Sequence, residues 1–365
     1  MNSGNPSRHR TVSLLVILVL LVIRPPTSCS DIYTYVSLAG EQKVVVYRLS
    51  DGKLGAPIQQ LEVTDSPGSS VFEPRRKIFY LAVRGEGRLL SFLVKSDGTL
   101  APQSSVTVYQ DPAYVQVDPR GRFLLSAYYA TGKVAIHPLS EEGEILADVR
   151  WYDTAEKAHA VAIDPSNQFV LVPHTGPNSI FQFRWNSTLG KLTACTPDRI
   201  RTGLNTGPRH VVFHPKLPVV YADNEQGSSV TAFHWNAQTG QLSAKQTVST
   251  LPVGFNENNS CARLAMTNDG RFLYASNRGH NSIAGFRIGI DGLLKPLGQI
   301  ATEEVPRGFA IAPSDDYLIA AGQKSGKLQV YTIDENGRLN PTQKVVTGKQ
   351  PWWVTCIVLR QHDGD

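Results

Sequence analysis

Residues 205–226, NTGPRHVVFHPKLPVVYADNEQ, contain two short apolar runs separated by a turn. The runs at 211–214 and 219–222 have the length and β-branched content of strands, and Lys-Leu-Pro between them is typical of a turn. The pattern predicts a β-hairpin. Because a tight turn brings the start of the first strand beside the end of the second, Arg209 and Glu225 are expected at one edge of it.

Units of this kind recur along the chain, and each has an aromatic residue or a histidine in its third strand. Corresponding residues are 45, 45, 46, 50, 53 and 45 positions apart. Seven copies of a four-stranded unit at this period are typical of an all-β fold, the seven-bladed β-propeller. The corresponding residues are Tyr47, Phe92, His137, Phe183, Phe233, Phe286 and Tyr331.

The ends of the repeat region predict how the ring closes. The first copy begins at Asp31 with DIYTYVS, which matches a second strand. The segment PWWVTCIVL at 351–359 matches the first strands of other copies, such as PRHVVFHP at 208–215. We therefore expect the C-terminal strand to complete the blade that the N-terminal strand starts, which removes an open sheet edge. This places one propeller domain at residues 31–365.

Residues 1–30 have the order of a secretory signal peptide. Arg8, His9 and Arg10 precede an apolar run at 12–23 that is short for a membrane span, and small residues precede Asp31. The pattern predicts export to the periplasm or the exterior. The alternatives are an uncleaved membrane anchor, lipid modification of Cys29, and a cytoplasmic protein without a working signal.

The composition limits the class of partner. The formal charge is +5 over 365 residues, and the 36 Lys and Arg residues are scattered rather than grouped with aromatic residues. This argues against a nucleic-acid partner. The 4 cysteines are widely spaced and match neither a zinc pattern nor a disulfide framework. We expect buried or single thiols, a monomer and no cofactor.

In a propeller, the first strand of each blade starts at the face where the second strand ends, so one axial mouth collects both sets of side chains. The starts of first strands contribute Tyr114, His159, Arg209, His210, Arg307 and Trp352. The ends of second strands contribute Arg84, Tyr128, His174, Glu225, Arg278 and Gln323. Trp352 and Trp353 are expected to face opposite sides of their strand, with at most one at the mouth.

A mouth with several arginines and histidines and one carboxylate suits a small anion, because guanidinium groups match carboxylate and phosphate oxygens. It suits a metal ion poorly, since calcium and magnesium need several oxygen ligands and the histidines lie on different blades. The alternative is structural: Arg209 and Glu225 could form an ion pair that ties blades together.

At these residues the chain resembles the propeller-type bacterial 6-phosphogluconolactonases, which share their fold with fungal carboxy-cis,cis-muconate cyclase. The resemblance extends over about residues 31–359. It rests on His159 in HAVAIDP and on GPRHVVFHP at 207–215, YADNE at 221–225, DGRFLYASNR at 269–278, VPRGF at 305–309 and LIAAGQKS at 318–325.

The resemblance implies hydrolysis of a sugar lactone, such as 6-phospho-D-glucono-1,5-lactone to 6-phosphogluconate, or of a related lactone if the protein is exported. By similarity to the cyclase branch it implies that His159, Arg209, Glu225 and Arg278 are catalytic. The alternatives are a carboxymuconate-type cycloisomerase and a non-catalytic exported propeller that binds an anionic ligand or a protein. The predicted substrate-binding residues are Arg84, Tyr128, His210, Arg307, Gln323 and Trp352.

Overall fold

The computed structural model describes residues 1, 2, 4 and 31–359, so nearly all of the predicted signal peptide, including Cys29, lies outside the described residues. Residues 31–359 form strands joined by turns and loops. The strands of the first half are β1 (Asp31–Leu38), β2 (Lys43–Ser50), β3 (Lys53–Glu62), β4 (Pro67–Glu73), β5 (Ile78–Val83), β6 (Arg88–Val94), β7 (Leu100–Thr107), β8 (Pro112–Val117), β9 (Phe123–Tyr128), β10 (Lys133–Pro138), β11 (Arg150–Asp153), β12 (Ala162–Ile163), β13 (Phe169–His174) and β14 (Ser179–Asn186). Those of the second half are β15 (Lys191–Arg201), β16 (Pro208–Phe213), β17 (Val219–Asn224), β18 (Ser229–Asn236), β19 (Gln241–Ser249), β20 (Ser260–Met266), β21 (Phe272–Arg278), β22 (Ser282–Ile288), β23 (Leu294–Ala301), β24 (Pro306–Ile311), β25 (Tyr317–Gly322), β26 (Lys327–Ile333), β27 (Leu339–Val346) and β28 (Pro351–Leu359).

These strands form seven four-stranded antiparallel sheets, and six of the sheets contain four strands consecutive in sequence. The seventh has the order β28-β1-β2-β3, with Tyr33 opposite Ile357 and Val36 opposite Val354. The predicted seven-bladed propeller, closed by the C-terminal strand, is therefore confirmed. The chain order numbers the blades from blade 1, which contains β1 and β28, to blade 7, which contains β24–β27.

The hydrophobic core consists of seven clusters, one between each pair of neighbouring blades. A recurrent hydrogen bond accompanies this packing: a buried tyrosine of a second strand donates to the carbonyl of a glycine in the next blade, at 2.8 Å for Tyr35 to Gly98 and 2.9 Å for Tyr274 to Gly337. The aligned third-strand residues, from Tyr47 to Tyr331, are all buried. The repeat thus supplies the packing between the sheets.

The hairpin at 205–226 is β16 and β17, and its register places Val211 opposite Ala222 and Val212 opposite Tyr221. Among residues 31–359 the cysteines Cys195, Cys261 and Cys356 are free thiols, as expected. In the same part of the chain there is no helix with the length and apolar character that a membrane span requires.

Candidate active site

The axial mouth contains a polar cavity of about 210 Å³. We call it the mouth cavity. A narrow crevice beside it is lined by Gly68, Ser69, Trp352 and Trp353. The walls of the mouth cavity are Arg84, Ala113, Tyr129, His159, Arg209, Glu225, Arg278 and Arg307.

A β-bulge at the mouth end of six first strands turns the bulged residues toward the axis. In β16, Arg209 and His210 together lie opposite the single residue Asp223, and in β24 and β28 the extra residues are Arg307 and Trp352. Bulges of this kind re-aim side chains and occur next to active sites. Because the bulge interrupts the alternation of a regular strand, consecutive residues such as Arg209 and His210 can both reach the axial channel.

The turn before β16 depends on a glycine. Gly207 has a φ of 61°, and a Cβ at this position would lie 1.2 Å from Oε1 of Gln226. Glycine adopts positive φ without steric cost, and the missing side chain lets the two loops approach. The carbonyl of Gly207 then accepts a hydrogen bond of 2.7 Å from the backbone N–H of Glu225. This bond fixes the distance between the Arg209 and Glu225 segments.

Glu225 is held between two guanidinium groups. Nη2 of Arg278 donates to Oε1 of Glu225 at 2.6 Å, and Nε of Arg209 lies 3.3 Å from Oε2. The second contact is an ion pair without hydrogen-bond geometry, since neither Nε of Arg209 nor Oε2 of Glu225 has a hydrogen-bond partner in the protein. Glu225 therefore orients both arginines at the cavity wall.

The imidazole of His159 lines the mouth cavity and is nearly buried, with its Nδ1 atom lacking a hydrogen-bond partner in the protein. The residue precedes β12, which has two residues, and its backbone N–H donates to the carbonyl of Pro173 at 3.0 Å. Burial, followed by the charge of Arg209, holds the pKa of His159 well below its ordinary value. The imidazole is therefore neutral at pH 7.

Arg307 and Arg84 form another side of the cavity, and both lie close to the ring of Trp352. Their guanidinium carbons lie 4.9 and 5.4 Å from the centre of the Trp352 ring, within cation–π range. Arg84 also forms an ion pair with Asp111, its Nε donating at 2.6 Å. No ion pair of residues 31–359 includes Arg307. Arg307 thus presents a guanidinium group to which an anion can bind.

A deeper layer of buried polar groups supports the cavity. Asp223 accepts a hydrogen bond of 2.7 Å from the backbone N–H of His210, and Nη1 of Arg209 lies 3.2 Å from Nδ1 of His210. Burial raises the pKa of Asp223 to about 6, although Arg209 opposes this. Burial also lowers the pKa of Arg209 to about 9, which leaves it protonated at pH 7. The hydrogen bond from the backbone N–H of His210 to Asp223 therefore stabilises the bulge that presents Arg209.

Over residues 31–356 the sequence matches the family model "Lactonase, 7-bladed beta-propeller". The protein belongs to this family. It is 33% identical to the 6-phosphogluconolactonase of Pectobacterium carotovorum subsp. carotovorum (strain PC1), over 89% of this chain and 98% of that one. It is also 33% identical to the 6-phosphogluconolactonase of Serratia proteamaculans (strain 568), over 88% and 98%. Among solved structures, the periplasmic gluconolactonase PpgL of Pseudomonas aeruginosa has a similar fold, with a TM-score of 0.81, 24% identity and coverage of 90% and 99%.

The structure brings most of the predicted site residues of this lactonase-family protein together. The predicted catalytic set, His159, Arg209, Glu225 and Arg278, lines one cavity with Arg84 and Arg307. Trp352 lines the adjoining crevice. The contact between Arg209 and Glu225 that the sequence suggested is present, and it lies in the cavity wall.

Three predicted binding residues lie elsewhere. Tyr128 is buried against Trp151, with ring centres 4.8 Å apart, because it is the last residue of β9 and points into the blade; Tyr129 lines the cavity instead. Gln323 lines a separate groove near the junction of blades 7 and 1. His210 lies below the cavity, where its ring is 5.1 Å from that of His159.

Other expectations concern Trp353, His174 and metal binding. Trp353 reaches the channel as well as Trp352, contrary to the expectation of one tryptophan, because the bulge at Trp352 breaks the strand's alternation. His174 points into blade 4, where its Nε2 atom lies 2.9 Å from Oγ1 of Thr154. Within residues 31–359, no three His, Cys, Asp or Glu side chains are grouped so that they could hold a metal ion.

Sequence reasoning missed Asp223 and Tyr129. Asp223 belongs to the YADNE motif, and a carboxylate that follows the apolar residues of a strand was a usable signal for a buried polar partner. Tyr129 differs from the predicted Tyr128 by one position, and a shift of one residue along a strand moves a side chain to the other face.

Proposed function

We propose that the protein hydrolyses an anionic sugar lactone in the mouth cavity. One observation carries the proposal: buried polar atoms of His159, Arg209, Glu225, Arg278 and Trp352 have no hydrogen-bond partner in the protein, and these residues line the mouth cavity and the crevice beside it. Buried polar groups are nearly always hydrogen-bonded, so a polar ligand is the natural partner of this set. Four arginines with two carboxylates, Glu225 and Asp111, leave an excess of positive charge for an anion.

His159 is the proposed general base. Water attacks the lactone carbonyl carbon while the neutral imidazole takes a proton from it, and the resulting imidazolium returns the proton to the ring oxygen as the ester C–O bond breaks. Glu225 is less suited to this role, because Arg209 and Arg278 both contact its carboxylate. Water and the lactone are the only reactants, and the ring-opened acid is the product.

Arg209 and Arg278 are the proposed stabilisers of the developing oxyanion. Both are positioned by Glu225, and fixed cations that face the growing charge stabilise a transition state strongly in a site that excludes water. Arg307, with Arg84 beside it, is the proposed anchor for the carboxylate or phosphate of the substrate, since guanidinium groups match these oxygens. Trp352 would pack against the sugar between them.

Purified protein should hydrolyse at least one sugar lactone well above the rate in buffer. The screen compares glucono-1,5-lactone, its 6-phosphate and lactones with a carboxylate, and it follows acid release. A reaction without protein gives the rate of spontaneous opening, and the His159→Gln variant tests the assigned base. If no lactone is turned over faster than it opens in buffer, the protein is a binding propeller or an isomerase, and the proposal fails.

The rate should depend on pH in a way that identifies the base. As the pH falls, His159 becomes protonated and can no longer accept a proton, but its lowered pKa should place the acid limb of kcat/KM well below pH 6.5. The limb should disappear in His159→Gln and persist in His280→Gln. Asp223, with a pKa of about 6, is the competing source, and its contribution is tested by Asp223→Asn. A limb above pH 6.5, or one unchanged in His159→Gln, contradicts the assignment.

Export directed by residues 1–30 is a further part of the proposal. It is supported by the charged residues that precede an apolar run in that segment. A phosphorylated lactone is a cytosolic metabolite, so export favours an unphosphorylated lactone with its own acid group. N-terminal sequencing of the mature protein should begin near Asp31. Recovery of chains that start at Met1 in a cytosolic fraction would instead favour the phosphorylated substrate.

A further inference from the structure

A second cavity opens at the other end of the propeller axis, and we call it the lower funnel. Its volume is about 570 Å³, within the range of about 300–1,000 Å³ typical of small-molecule sites. First strands of blades 1, 2, 3, 6 and 7 line it. Much of its wall is apolar, with Phe72, Val115, Met266, Ile311 and Val358.

Aromatic rings separate the lower funnel from the mouth cavity. The ring centre of Tyr114 lies 5.8 Å from that of His210 and 5.7 Å from that of Trp353, and His210 and Trp353 are 6.3 Å apart. Tyr114 and Trp353 also line the funnel. The mouth cavity and the lower funnel share no lining residue. A ligand in the funnel would therefore contact none of the residues that line the mouth cavity.

Arg263 supplies a cation at the closed end of the lower funnel. Its guanidinium carbon lies 4.3 Å from the centre of the Trp353 ring, which belongs to blade 1, whereas Arg263 belongs to blade 6. These blades are not neighbours, so the side chain extends toward the axis. The bulge in β20, where Ala262 and Arg263 lie opposite Ser276, directs the Arg263 side chain toward the axis. The backbone N–H of Arg263 donates to Oγ of Ser276 at 3.0 Å.

The charge of Arg263 has no carboxylate in contact with it. No ion pair among residues 31–359 includes Arg263, its Nε atom is buried without a partner, and the lining of the lower funnel contains no Asp or Glu. Asp223 acts on it electrostatically from the neighbouring layer without reaching ion-pair distance. A partly buried cation at the end of an apolar cavity is costly unless an anion pairs with it.

We propose that the lower funnel binds a small amphipathic monoanion, an aliphatic or aromatic carboxylate whose acid group pairs with Arg263. The apolar body of the ligand would lie against Phe72, Met266 and Ile311, and its carboxylate would accept charge-assisted hydrogen bonds from the guanidinium. The cation at the closed end and the apolar side chains of Phe72, Met266 and Ile311 together favour a ligand with one acid group and an apolar body.

Octanoate, measured by titration calorimetry on the mature protein, is the test ligand. Its affinity should fall about tenfold or more in Arg263→Gln and should be unchanged in Arg271→Gln, an exposed arginine of the same blade outside the funnel. Octylamine and 1-octanol should bind more weakly than octanoate. Equal affinity of the parent and Arg263→Gln, or no octanoate binding by the parent, overturns the proposal.

A second pair of variants tests the location without removing Arg263. Val358 lies at 36% exposure in the wall of the lower funnel, so a charged side chain is tolerated there. Val358→Glu should weaken octanoate binding, whereas Val358→Lys should preserve or strengthen it. In Arg307→Gln, octanoate binding should remain as in the parent. Loss of binding in Arg307→Gln would place octanoate in the mouth cavity and refute the funnel site, whatever the outcome for lactone hydrolysis.

Discussion

A chain ending at residue 350 is expected to lose cooperative folding of the whole propeller rather than of blade 1 alone. The deletion removes β28, the axial strand of blade 1, with the buried side chains of Val354, Ile357 and Leu359 and the whole pairing with β1. Each such side chain contributes about 1.5–3 kcal/mol. With the lost strand pairing, the total approaches the net stability of a domain, about 5–15 kcal/mol.

The loss should spread because β28 also packs between two other blades. Val354 belongs to the cluster between blades 7 and 1, and Ile357 and Leu359 belong to the cluster between blades 1 and 2. Removing the strand therefore opens both interfaces of blade 1. Thermal unfolding followed by circular dichroism should show no cooperative transition for the truncated chain.

A permuted chain is the matched control for this deletion. Asp31 lies opposite Leu359 in the register, so residues 351–359 can be placed before Asp31 through a two-residue turn. The permuted chain should fold, because it has the same strands and the same register. A truncated chain that unfolds cooperatively within a few degrees of the parent would show that β28 is dispensable for closure.

Arg209→Ala and Arg307→Ala are expected to change different kinetic constants. Loss of a donor that stabilises the oxyanion costs about a hundred- to a thousand-fold in turnover, so Arg209→Ala should lower kcat strongly. Arg307 is proposed to hold the same anion in the ground state and in the transition state. Its loss should therefore raise KM and leave kcat within a few-fold. Steady-state kinetics on the lactone identified by the screen separates the two effects.

Arg209 is 3% exposed, so its replacement needs a structural control. Arg209→Lys retains the charge and should retain part of the turnover, while thermal unfolding reports whether each variant is folded. Glu225→Gln should also lower kcat, because Arg209 and Arg278 lose the carboxylate that orients them. If all these variants and His159→Gln are folded and keep turnover within a few-fold of the parent, the catalytic centre is not in the mouth cavity.

The alternation and period of the sequence were sufficient to predict the propeller. Strand pairing within a blade is local, so apolar runs such as 211–214 and 219–222 predict β16 and β17 to within a few residues. The seven aligned third-strand residues set the number of blades, and the match of 351–359 to a first strand predicted closure. The starts of first strands and the ends of second strands placed His159, Arg209, Glu225 and Arg278 at one mouth, and the family motifs implied their catalytic role.

Tertiary structure decided which side chains face the axis and what they contact there. The bulges that direct Arg209, Arg307 and Trp352 toward the axis arise where first strands converge on the channel, and a regular alternation does not encode them. By itself the sequence determined the strands and their repeat, because each strand follows from a local two-residue alternation of side chains. The contact of Arg263 with Trp353 across the channel joins blades that are not neighbours, and closure of the ring alone brings them together.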